Sequence, residues 1–491
     1  MINQDQDYDV VVVGAGGSGL AAAVSAAEGG ARVVVLEKQL QPRGTTGIAV
    51  GSFTANRTVL QQGAGIEDTL ASHNEDVAKF APGEIEIHNN NDLRCYFLEH
   101  VGATLDWLCD MGLVFQGPVQ EPPNSVPRMH NVVPGARAYI STLVTRLKKL
   151  GGELVCGAEV QDLRRSSGGR VVGVVAKIHG EMVEVQARRG VVLAAGDYAS
   201  SRELIEKHKG HRFGQIEGIN PYATGDGQKM VELAGGELVN MGITYGPELR
   251  FVAPKKKSWL DRVPHTGWGG RLVKTWMPLV PQRILQAVSQ RIVVTWQHPE
   301  VALFQDGAML LNSSGERFCN ETRSPEREIA VSHQKDKCGF ILLDQRLMDR
   351  YSRWPHFIST APKIAYAYVQ DYLRLRPDLV CVGSLSAVAE RLGARQETLE
   401  QTIEKSRLCG EKWLLLGPAK AYFTTTEGGA RIDRRFQVLR DSGEPISGLY
   451  AVGQNGLGGQ ILWGHGLHIG WAMTSGRLVG KELAREEKGS L

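Results

Sequence analysis

The stretch Asp9-Val10-Val11-Val12-Val13-Gly14-Ala15-Gly16-Gly17-Ser18-Gly19 decides the fold of this chain. Its valines predict a buried parallel strand, its glycines a tight turn, and the alanine-rich residues 20–28 a helix. A second buried strand is predicted at residues 32–36. A G-x-G-x-x-G turn between a strand and a helix is typical of dinucleotide binding, because its glycines allow a sharp turn and a close approach to a pyrophosphate. The predicted fold class is therefore α/β.

Glu37 directly follows the second predicted strand. A carboxylate at this place can accept hydrogen bonds from both hydroxyls of an adenosine ribose, whereas it would repel a 2′-phosphate. The glycine turn and the carboxylate together predict FAD or NAD as the dinucleotide. The alternative is a plain glycine turn beside a surface glutamate.

Later segments predict a return to the same sheet. Residues 143–150 predict a basic amphipathic helix and residues 152–156 a strand. The alternating segments 171–175 and 182–185 predict an antiparallel flap, and a further strand is expected at residues 190–196. A mixed sheet with an inserted flap follows from this order.

The chain divides into two predicted domains. From about residue 237 to residue 365, Pro, Trp and Arg become frequent and the periodicity weakens, which indicates a separate lobe. Residues 237–365 are therefore assigned to a capping or substrate domain. Residues 1–236 and 366–491 are assigned to the two parts of a dinucleotide-binding domain.

Composition excludes several function classes. The 491 residues carry a formal charge of +3, and short basic runs such as Lys255-Lys256-Lys257 lack interleaved aromatic residues, so no nucleic-acid partner is expected. The seven cysteines form no C-x-x-C pair and no haem or iron–sulfur ligand set, which predicts reduced thiols and no metal site. No signal peptide and no membrane span are indicated, so a cytoplasmic location is expected.

Further motifs resemble, in order along nearly the whole chain, those of the fumarate reductase and 3-ketosteroid dehydrogenase superfamily of flavoproteins. They are Arg43-Gly44-Thr45-Thr46-Gly47, Arg189-Gly190-Val191-Val192-Leu193-Ala194-Ala195-Gly196, Ala223-Thr224-Gly225-Asp226-Gly227, Gly448-Leu449-Tyr450-Ala451-Val452-Gly453 and Ser475-Gly476-Arg477-Leu478-Val479-Gly480. The resemblance implies FAD as the cofactor, a Rossmann-like FAD-binding domain of the glutathione-reductase type, and an inserted α+β capping domain. It also implies non-covalent FAD, because Arg43 precedes the Gly-Thr stretch where covalent members have a histidine.

The resemblance also implies which residues contact the cofactor. The glycine turn would hold the diphosphate, Glu37 the ribose, Val160 the adenine, and Thr45 and Thr46 the flavin edge. Backbone N–H groups at the start of the last helix would face flavin N1 and O2. The predicted FAD-binding set is Gly14, Gly16, Gly17, Ser18, Gly19, Glu37, Lys38, Gly44, Thr45, Thr46, Gly47, Val160, Ala195, Gly196, Asp226, Gly453, Gln454, Leu467, His468 and Ile469.

Two substrate positions depart from the fumarate reductases. Those enzymes clamp the substrate carboxylates with a histidine before a Gly-Gly pair and an arginine before the last helix, whereas this chain has Thr424 and Trp463 there. A dicarboxylate would lose two cationic partners, each worth ~1.5–3 kcal/mol as a charged hydrogen bond. His298-Pro299 and the segment at residues 315–321 do resemble the family's capping lobe. The proton-delivering arginine of that family would then correspond to Arg323 or Arg327, neither in register without a gap.

The stretch before the last helix predicts the catalytic residues. Residues 461–465 are apolar and aromatic, which favours an uncharged ring as the substrate. His465, with an ordinary pKa of ~6.5, can move a proton beside a ketone or polarise its carbonyl; the alternative is that it only packs near the flavin. The predicted catalytic set is His465, Trp463, Arg323 and Tyr422. Other tyrosines could donate the proton instead, namely Tyr198, Tyr222 and Tyr245.

Three functions remain open on this basis. The first is an FAD-dependent enzyme that transfers hydride between flavin N5 and a C–C bond beside the carbonyl of a cyclic, steroid-like or aromatic ketone. The second is a reductase of an unsaturated carboxylate, bound by Arg323, Arg327 or Arg431. The third is a non-catalytic electron-transfer subunit. The expected partner is a small-molecule substrate, while the electron donor or acceptor is left open.

Overall fold

The strand Tyr8–Val13 lies inside an eight-stranded sheet in the computed structural model, which describes residues 8–254, 290, 293–295, 298–361 and 365–485. Its six residues are all buried. It pairs in parallel with Val33–Glu37 on one side and with Glu181–Leu193 on the other. The main path of the sheet runs Gln437–Leu439, Pro445–Ala451, Glu181–Leu193, Tyr8–Val13, Val33–Glu37 and Glu153–Cys156.

Glycines allow the turn that follows this strand. Gly14 has a φ of 104°, and a Cβ atom on Gly19 would lie 1.9 Å from the carbonyl oxygen of Gly14. Any side chain at Gly19 would therefore clash with the backbone of the turn. The first helix, Gly17–Glu28, begins three residues before the predicted start at residue 20, because the end of the glycine motif is already helical.

The last helix, Leu467–Ala484, packs closely along the first helix. A Cβ atom on Gly476 would lie 2.3 Å from the carbonyl oxygen of Ser18, and one on Gly480 would lie 2.5 Å from that of Ala22. Larger residues would force the two helices apart. This contact joins the C-terminal part of the chain to the N-terminal unit.

The predicted antiparallel flap is present. The strands Ala158–Arg165 and Val171–Ile178 pair antiparallel, and Val171–Ile178 pairs in turn with Glu181–Leu193. The segments 182–185 and 190–196 are therefore not two strands, because residues 181–193 form one strand that leaves the flap and enters the main sheet.

A second sheet and a second core form the other lobe. The strand Trp413–Phe423 pairs with Cys338–Asp344, Glu248–Phe251 and Val380–Gly383, and the remaining strands of the sheet are Glu217–Gly218 and Met309–Leu311. The buried apolar side chains of this core extend from Tyr198 to Phe423. The second core thus continues past the predicted boundary at residue 365, because the long strand 413–423 completes its sheet. Residues 255–289 of the predicted capping domain lie outside the described residues.

Shorter elements complete the described chain. Small sheets are formed by Ser52–Thr54, Val114–Val119 and Met129–Val133, by Leu238–Val239 with Gly429–Ala430, by Thr244–Tyr245 with Thr425–Thr426, and by Ser359–Ala361 with Ala365–Ala367. The other helices are Val59–Gly63, Leu70–Val77, Gly83–Glu86, Asn91–Asp110, Arg137–Lys149, Arg202–His208, Asp226–Leu233, Val301–Gln305, Glu326–Ser332, Gln345–Arg350, Val369–Leu375, Leu385–Leu392 and Gln396–Glu404. None of the described helices has the length and apolar character needed to cross a membrane.

Candidate active site

A cleft with an empty volume of about 840 Å³ opens at the carboxyl ends of the central parallel strands. This edge of an open α/β sheet is where nucleotide ligands bind. The predicted cofactor residues that line it are Gly14, Gly16, Gly17, Ser18, Glu37, Lys38, Gly44, Thr45, Thr46, Val160, Ala195, Gly196, Asp226 and Gln454. The glycine turn and the motifs that follow it are thus brought to one cavity.

Glu37 is buried at the end of its strand and lines this cleft. Its Oε2 atom accepts a hydrogen bond from the backbone N–H of Ala15 at 2.8 Å, and its Oε1 atom accepts one from Gln39 at 2.9 Å. These two bonds fix the carboxylate, and each oxygen retains a lone pair for a hydroxyl donor. The position fits the ribose of an adenine dinucleotide.

The start of the first helix offers an anion site to the cleft. No side chain caps the helix at Gly16, and no acidic residue lies in its first turn. Unpaired N–H groups and the positive end of the helix dipole therefore remain available for a diphosphate. The approach is open because Gly16, Gly17 and Gly44 carry no side chain.

Another wall of the cleft is held together by polar contacts between segments that are distant in the sequence. The Nζ atom of Lys38 lies 2.7 Å from Oδ2 of Asp226, in the first turn of the helix Asp226–Leu233. Asn220 donates its side-chain N–H to Oγ1 of Thr45 at 3.0 Å. Asn220 and Tyr222 line the cleft. Asn220 was not predicted, and Tyr222 was predicted only as a possible proton donor, although both precede the motif that contains Asp226.

Polar atoms without partners also point to a ligand. Gln454 donates to Oγ1 of Thr425 at 2.8 Å and to the carbonyl oxygen of Thr426 at 2.9 Å. Its own Oε1 atom is buried, and no group in the described part of the chain bonds to it. Such a group costs free energy unless a ligand or water satisfies it. The donors, the glycine cradle and the fixed carboxylate of Glu37 together fit FAD.

The remaining predicted cofactor residues are not among those that line the cleft. Gly453 has a φ of 60° and lies against Ser18, while Gly19 and Gly47 pack against backbone or side chains. Leu467, His468 and Ile469 form the first turn of the last helix, which begins at Gly466 without a side-chain cap. Their assignment to flavin N1 and O2, and the non-covalent state of the FAD, stay predictions.

A second group of side chains lies next to Gln454. Thr425, which Gln454 contacts, pairs with Tyr245 in the short sheet, and the Tyr245 ring meets the Trp463 ring edge to face at 5.2 Å. Around these rings lie charged and polar groups. We name the whole group the substrate-side cluster, and its members are Glu121, Tyr245, Glu248, Arg250, Thr424, Trp463 and His465.

His465 is the exposed member of this cluster, and its ring nitrogen Nδ1 pairs with Oε1 of Glu121. Its backbone carbonyl accepts a hydrogen bond from Oγ1 of Thr54 at 2.6 Å, which fixes the turn. The groups packed around the half-exposed ring remove part of its hydration and so lower the pKa of His465, but the Glu121 carboxylate outweighs this effect and raises the pKa above its ordinary value. His465 is therefore a group that can hold a proton near neutral pH.

Arg250 and Glu248 form an ion pair at 2.6 Å within the cluster. Arg250 also lies 3.3 Å from Oγ1 of Thr424. Burial raises the pKa of Glu248, whereas Arg250, His298 and His465 lower it, and the net shift is downward. Burial raises the pKa of Tyr245 to about 12, and Glu248 adds to this rise. Glu248 thus stays ionised and Tyr245 stays protonated at neutral pH.

The other candidate residues are placed differently. Arg323 is exposed before the helix Glu326–Ser332, whereas Arg327 is buried and pairs with Glu328. Tyr422 lies on the second sheet, where burial and then Glu217 raise its pKa to about 12. The structure does not bring Arg323 or Tyr422 into the substrate-side cluster as defined by its contacts. Tyr422 lies opposite Glu248 on the neighbouring strand, but no hydrogen bond joins its side chain to the cluster among the described residues, and both catalytic roles stay predictions.

Two buried carboxylates join the cleft to the start of the last helix. Glu427 is fully buried and accepts a hydrogen bond from Nε2 of His468 at 2.8 Å. Asp197 lines the cleft and accepts hydrogen bonds from the backbone N–H of Ala199 at 2.8 Å and from Oγ1 of Thr425 at 3.2 Å. Burial raises the pKa of Asp197 to about 6, although both hydrogen bonds oppose the rise.

Known proteins share these sequence features. Residues 9–250 and 285–460 match the family model described as FAD binding domain. The chain is 25% identical to NADH:fumarate oxidoreductase of Klebsiella pneumoniae over 99% of its own length, but it spans only 48% of that relative. It is 26% identical to a fumarate reductase (cytochrome) of Shewanella frigidimarina, over 98% of this chain and 77% of the relative. It is 23% identical to vinyl phenol reductase of Lactiplantibacillus plantarum, over 97% and 96%.

Solved structures share the fold. An open conformation of a flavocytochrome c3 fumarate reductase aligns with a TM-score of 0.73 at 21% identity, over 98% of this chain and 78% of the other. A 3-ketosteroid-Δ4-(5α)-dehydrogenase from Rhodococcus jostii RHA1 aligns with a TM-score of 0.60 at 23% identity, over 99% and 98%. Both likenesses confirm the predicted fold class, and the family model and the fumarate reductase relatives confirm the predicted resemblance.

These matches confirm FAD as the cofactor and an FAD-dependent oxidoreductase as the class of enzyme. The sequence also predicted Trp463 and His465, which the structure places together with Tyr245. It missed Glu121, Glu248 and Arg250, since each stands in a segment without a recognisable motif. Their only sequence signal is that they are charged residues beside glycine, proline or apolar neighbours.

Proposed function

Because this chain belongs to the FAD binding domain family, we propose that it reduces or forms a carbon–carbon double bond in a cyclic or aromatic substrate that carries no more than one ionised group. The observation that carries the proposal is that the cationic side chains of the substrate-side cluster already have carboxylate partners. His465 pairs with Glu121 and Arg250 with Glu248, and at the start of the last helix His468 is hydrogen-bonded to Glu427.

This pairing disfavours a dianionic substrate. Two substrate carboxylates would need two cations, and each charged hydrogen bond is worth ~1.5–3 kcal/mol. Taking Arg250 from Glu248 would leave an ionised carboxylate without its partner, which is costly in a partly buried site. The arginines considered from the sequence do not replace it, because Arg327 pairs with Glu328 and Arg431 with Glu237, and Arg323 is exposed outside the substrate-side cluster.

The rings of the cluster support an uncharged, planar ligand. Trp463 and Tyr245 present aromatic surface, which favours a flat apolar molecule. The Nε1 atom of Trp463 is buried without a partner in the described chain. A ketone or phenol oxygen would satisfy this donor. The vinyl phenol reductase, which matches this chain along nearly its full length, acts by name on such a molecule.

Bound FAD would supply hydride exchange at flavin N5. In the reductive direction, protonated His465 gives a proton to one carbon of the double bond while the other carbon takes up the hydride, so a C–H bond forms at each carbon. Glu121 keeps the imidazole oriented and favours its protonated form. In the oxidative direction the neutral imidazole takes up the proton instead.

A comparison of oxidants tests the proposal. Anaerobic protein is reduced with one equivalent of dithionite, and reoxidation of its flavin is followed after addition of 4-vinylphenol, 4-androstene-3,17-dione or fumarate. We expect the first two to restore the yellow colour faster than fumarate. Faster reoxidation by fumarate would favour the unsaturated-carboxylate alternative. Reoxidation by none of the three would favour the electron-transfer subunit.

A further inference from the structure

A second groove lies on the surface away from the cofactor cleft. Its empty volume is about 820 Å³, and it runs between the helix Asn91–Asp110, the turn at residues 434–436 and the C-terminal half of the last helix. We name it the basic groove. Its charged lining consists of Arg434, Arg435, Arg477, Lys481, Glu482 and Arg485.

The lining of this groove carries five cations and one carboxylate, and further carboxylates act on Arg477 from outside the groove, namely Glu28, Asp106 and Asp110. Glu482 is the one carboxylate in the lining, and it pairs with Arg435 at 2.7 Å and with Arg485 at 3.7 Å. Arg434, Arg477 and Lys481 have no carboxylate within 4.0 Å among the residues that the structure describes. Burial lowers the pKa of Lys481, and the neighbouring Arg477 lowers it further. A concentration of like charge of this kind attracts a negatively charged partner.

The basic groove is joined to the cofactor cleft by a row of aromatic rings. Tyr96 and Phe436 line the groove, and their centroids lie 6.3 Å apart. Phe436 in turn lies 6.0 Å from Trp471 of the last helix. The Nε1 atom of Trp471 donates to the carbonyl oxygen of Gly453 at 3.0 Å, and the next residue, Ala472, lines the cofactor cleft. Closely packed groups thus connect the surface groove with the flavin-binding region.

We propose that the basic groove docks an acidic redox protein that supplies electrons to the bound FAD. Reduction of a carbon–carbon double bond consumes two electrons and two protons. A one-electron donor therefore docks twice in each turnover and leaves twice in its oxidised form. The direction of electron flow, from the partner to the FAD, rests on the proposed function as a reductase. The docking itself does not depend on which unsaturated substrate is reduced.

The shape of the groove favours a protein over a small anion. Its cations come from the 434–436 turn and from the last helix, and Arg434, Lys481 and Arg485 are exposed. An open surface with charges spread along it matches the extended acidic face of a protein, and such pairing speeds association at low salt. The experiment must therefore distinguish an acidic protein from a small phosphate ligand as the occupant of the groove.

The test compares two charge-reversed double variants. Arg434→Glu with Lys481→Glu alters the groove, while Lys177→Glu with Arg407→Glu changes the net charge equally at exposed positions elsewhere. The probe is an acidic flavodoxin. Its oxidised form is titrated against each FAD-loaded protein by calorimetry, and its reduced form is mixed with each protein in a stopped-flow instrument without substrate. Dithionite reduction of every variant checks that the cofactor site is intact.

We expect the groove variant to lose at least tenfold in flavodoxin affinity and in the rate of flavin bleaching, with the control variant unchanged. The wild-type rate should fall as salt is raised. Equal rates in the two variants, no flavodoxin binding to wild type, or a rate independent of salt would each overturn the proposal. The proposal would also be overturned if pyrophosphate bound to wild type and to the control variant but not to the groove variant, while reduced flavodoxin still reduced the FAD of the groove variant at the wild-type rate. Because no substrate is present, failure here leaves the proposed function untouched.

Discussion

The Nδ1 atom of His465 pairs with Oε1 of Glu121, although 344 residues separate the two along the chain. A buried network holds the Glu121 segment in place. The backbone N–H of Asn124 donates to the carbonyl oxygen of Glu121 at 2.9 Å, and Arg128 contacts both Oδ1 of Asn124 at 3.1 Å and Asp76 at 2.6 Å. The proton on His465 therefore depends on a carboxylate positioned from another part of the molecule.

Replacing Glu121 by Gln should move the pH dependence of reduction to lower pH. The pKa of His465 is raised in the folded protein, so the stabilisation from its pairing is complete below the unfolded value of ~6.5 and is lost as pH rises through the folded value. Without the carboxylate, His465 should lose its proton earlier. The measurement is kcat/KM from pH 5 to pH 10, with exposed Glu75→Gln as the control. An unshifted basic limb would contradict the pairing.

Replacing His465 by Ala should slow flavin reoxidation by the substrate by ~10²–10⁴-fold, as is typical of a lost general acid. The flavin spectrum should stay as in wild type and the melting temperature should fall only slightly, because the half-exposed side chain loses a single ion pair. Exposed His211→Ala is the matched control. If the stopped-flow rates equalled those of wild type between pH 6 and pH 9, another group would have to donate the proton to the substrate, and Tyr245 would be the first candidate.

Replacing Trp463 by Ala should raise KM more than it lowers kcat. An aromatic wall and an N–H donor are removed, while the proton on His465 is untouched. Steady-state kinetics with the best substrate of the oxidant comparison measure both constants. Trp354→Ala serves as the control, since that tryptophan is exposed on the other lobe. A fall in kcat at constant KM would show that Trp463 acts on the reacting bond instead.

Replacing Glu37 by Ala should weaken FAD binding by a factor that corresponds to ~1.5–3 kcal/mol, because two ribose hydroxyls lose a charged acceptor. The carboxylate also accepts the N–H groups of Ala15 and Gln39, so Glu37→Gln is the better matched variant and should lose less affinity. Fluorescence titration of apoprotein with FAD gives both dissociation constants. Full affinity in the Ala variant would refute the ribose assignment.

Replacing Asp197 by Asn should flatten the pH dependence of apoprotein stability between pH 4 and pH 6. Burial raises the pKa of Asp197 from 3.8 to about 6, so the folded state binds more protons than the unfolded state in this window. The free energy of unfolding should therefore fall as pH rises, by up to ~3 kcal/mol. Urea unfolding at several pH values measures this slope, and exposed Asp162→Asn should leave it unchanged. If the free energy of unfolding of the Asn variant changed with pH as steeply as that of wild type, Asp197 would not be the cause of the pH dependence.

Local patterns predicted most of the residues that line the cofactor cleft. The glycine turn, Glu37 and the Ala-Thr-Gly-Asp-Gly motif each combine a fixed backbone shape with one chemical role, so short stretches of sequence identify them. The start of the first helix and the continuity of the strand 181–193 were the local details that patterns misplaced. Both errors lie where glycine and alternating segments are compatible with more than one backbone conformation.

By itself the sequence determined the α/β class and FAD as the cofactor, and it predicted Gly14, Glu37, Trp463 and His465 as site residues. Only the tertiary structure decided which charged residues pair. Glu121 pairs with His465 and favours its protonated form, Glu248 pairs with Arg250, and Arg327 rather than Arg323 is buried. The physical reason is that local conformation depends on neighbouring residues, whereas an ion pair depends on which distant segments the packing of two cores brings together.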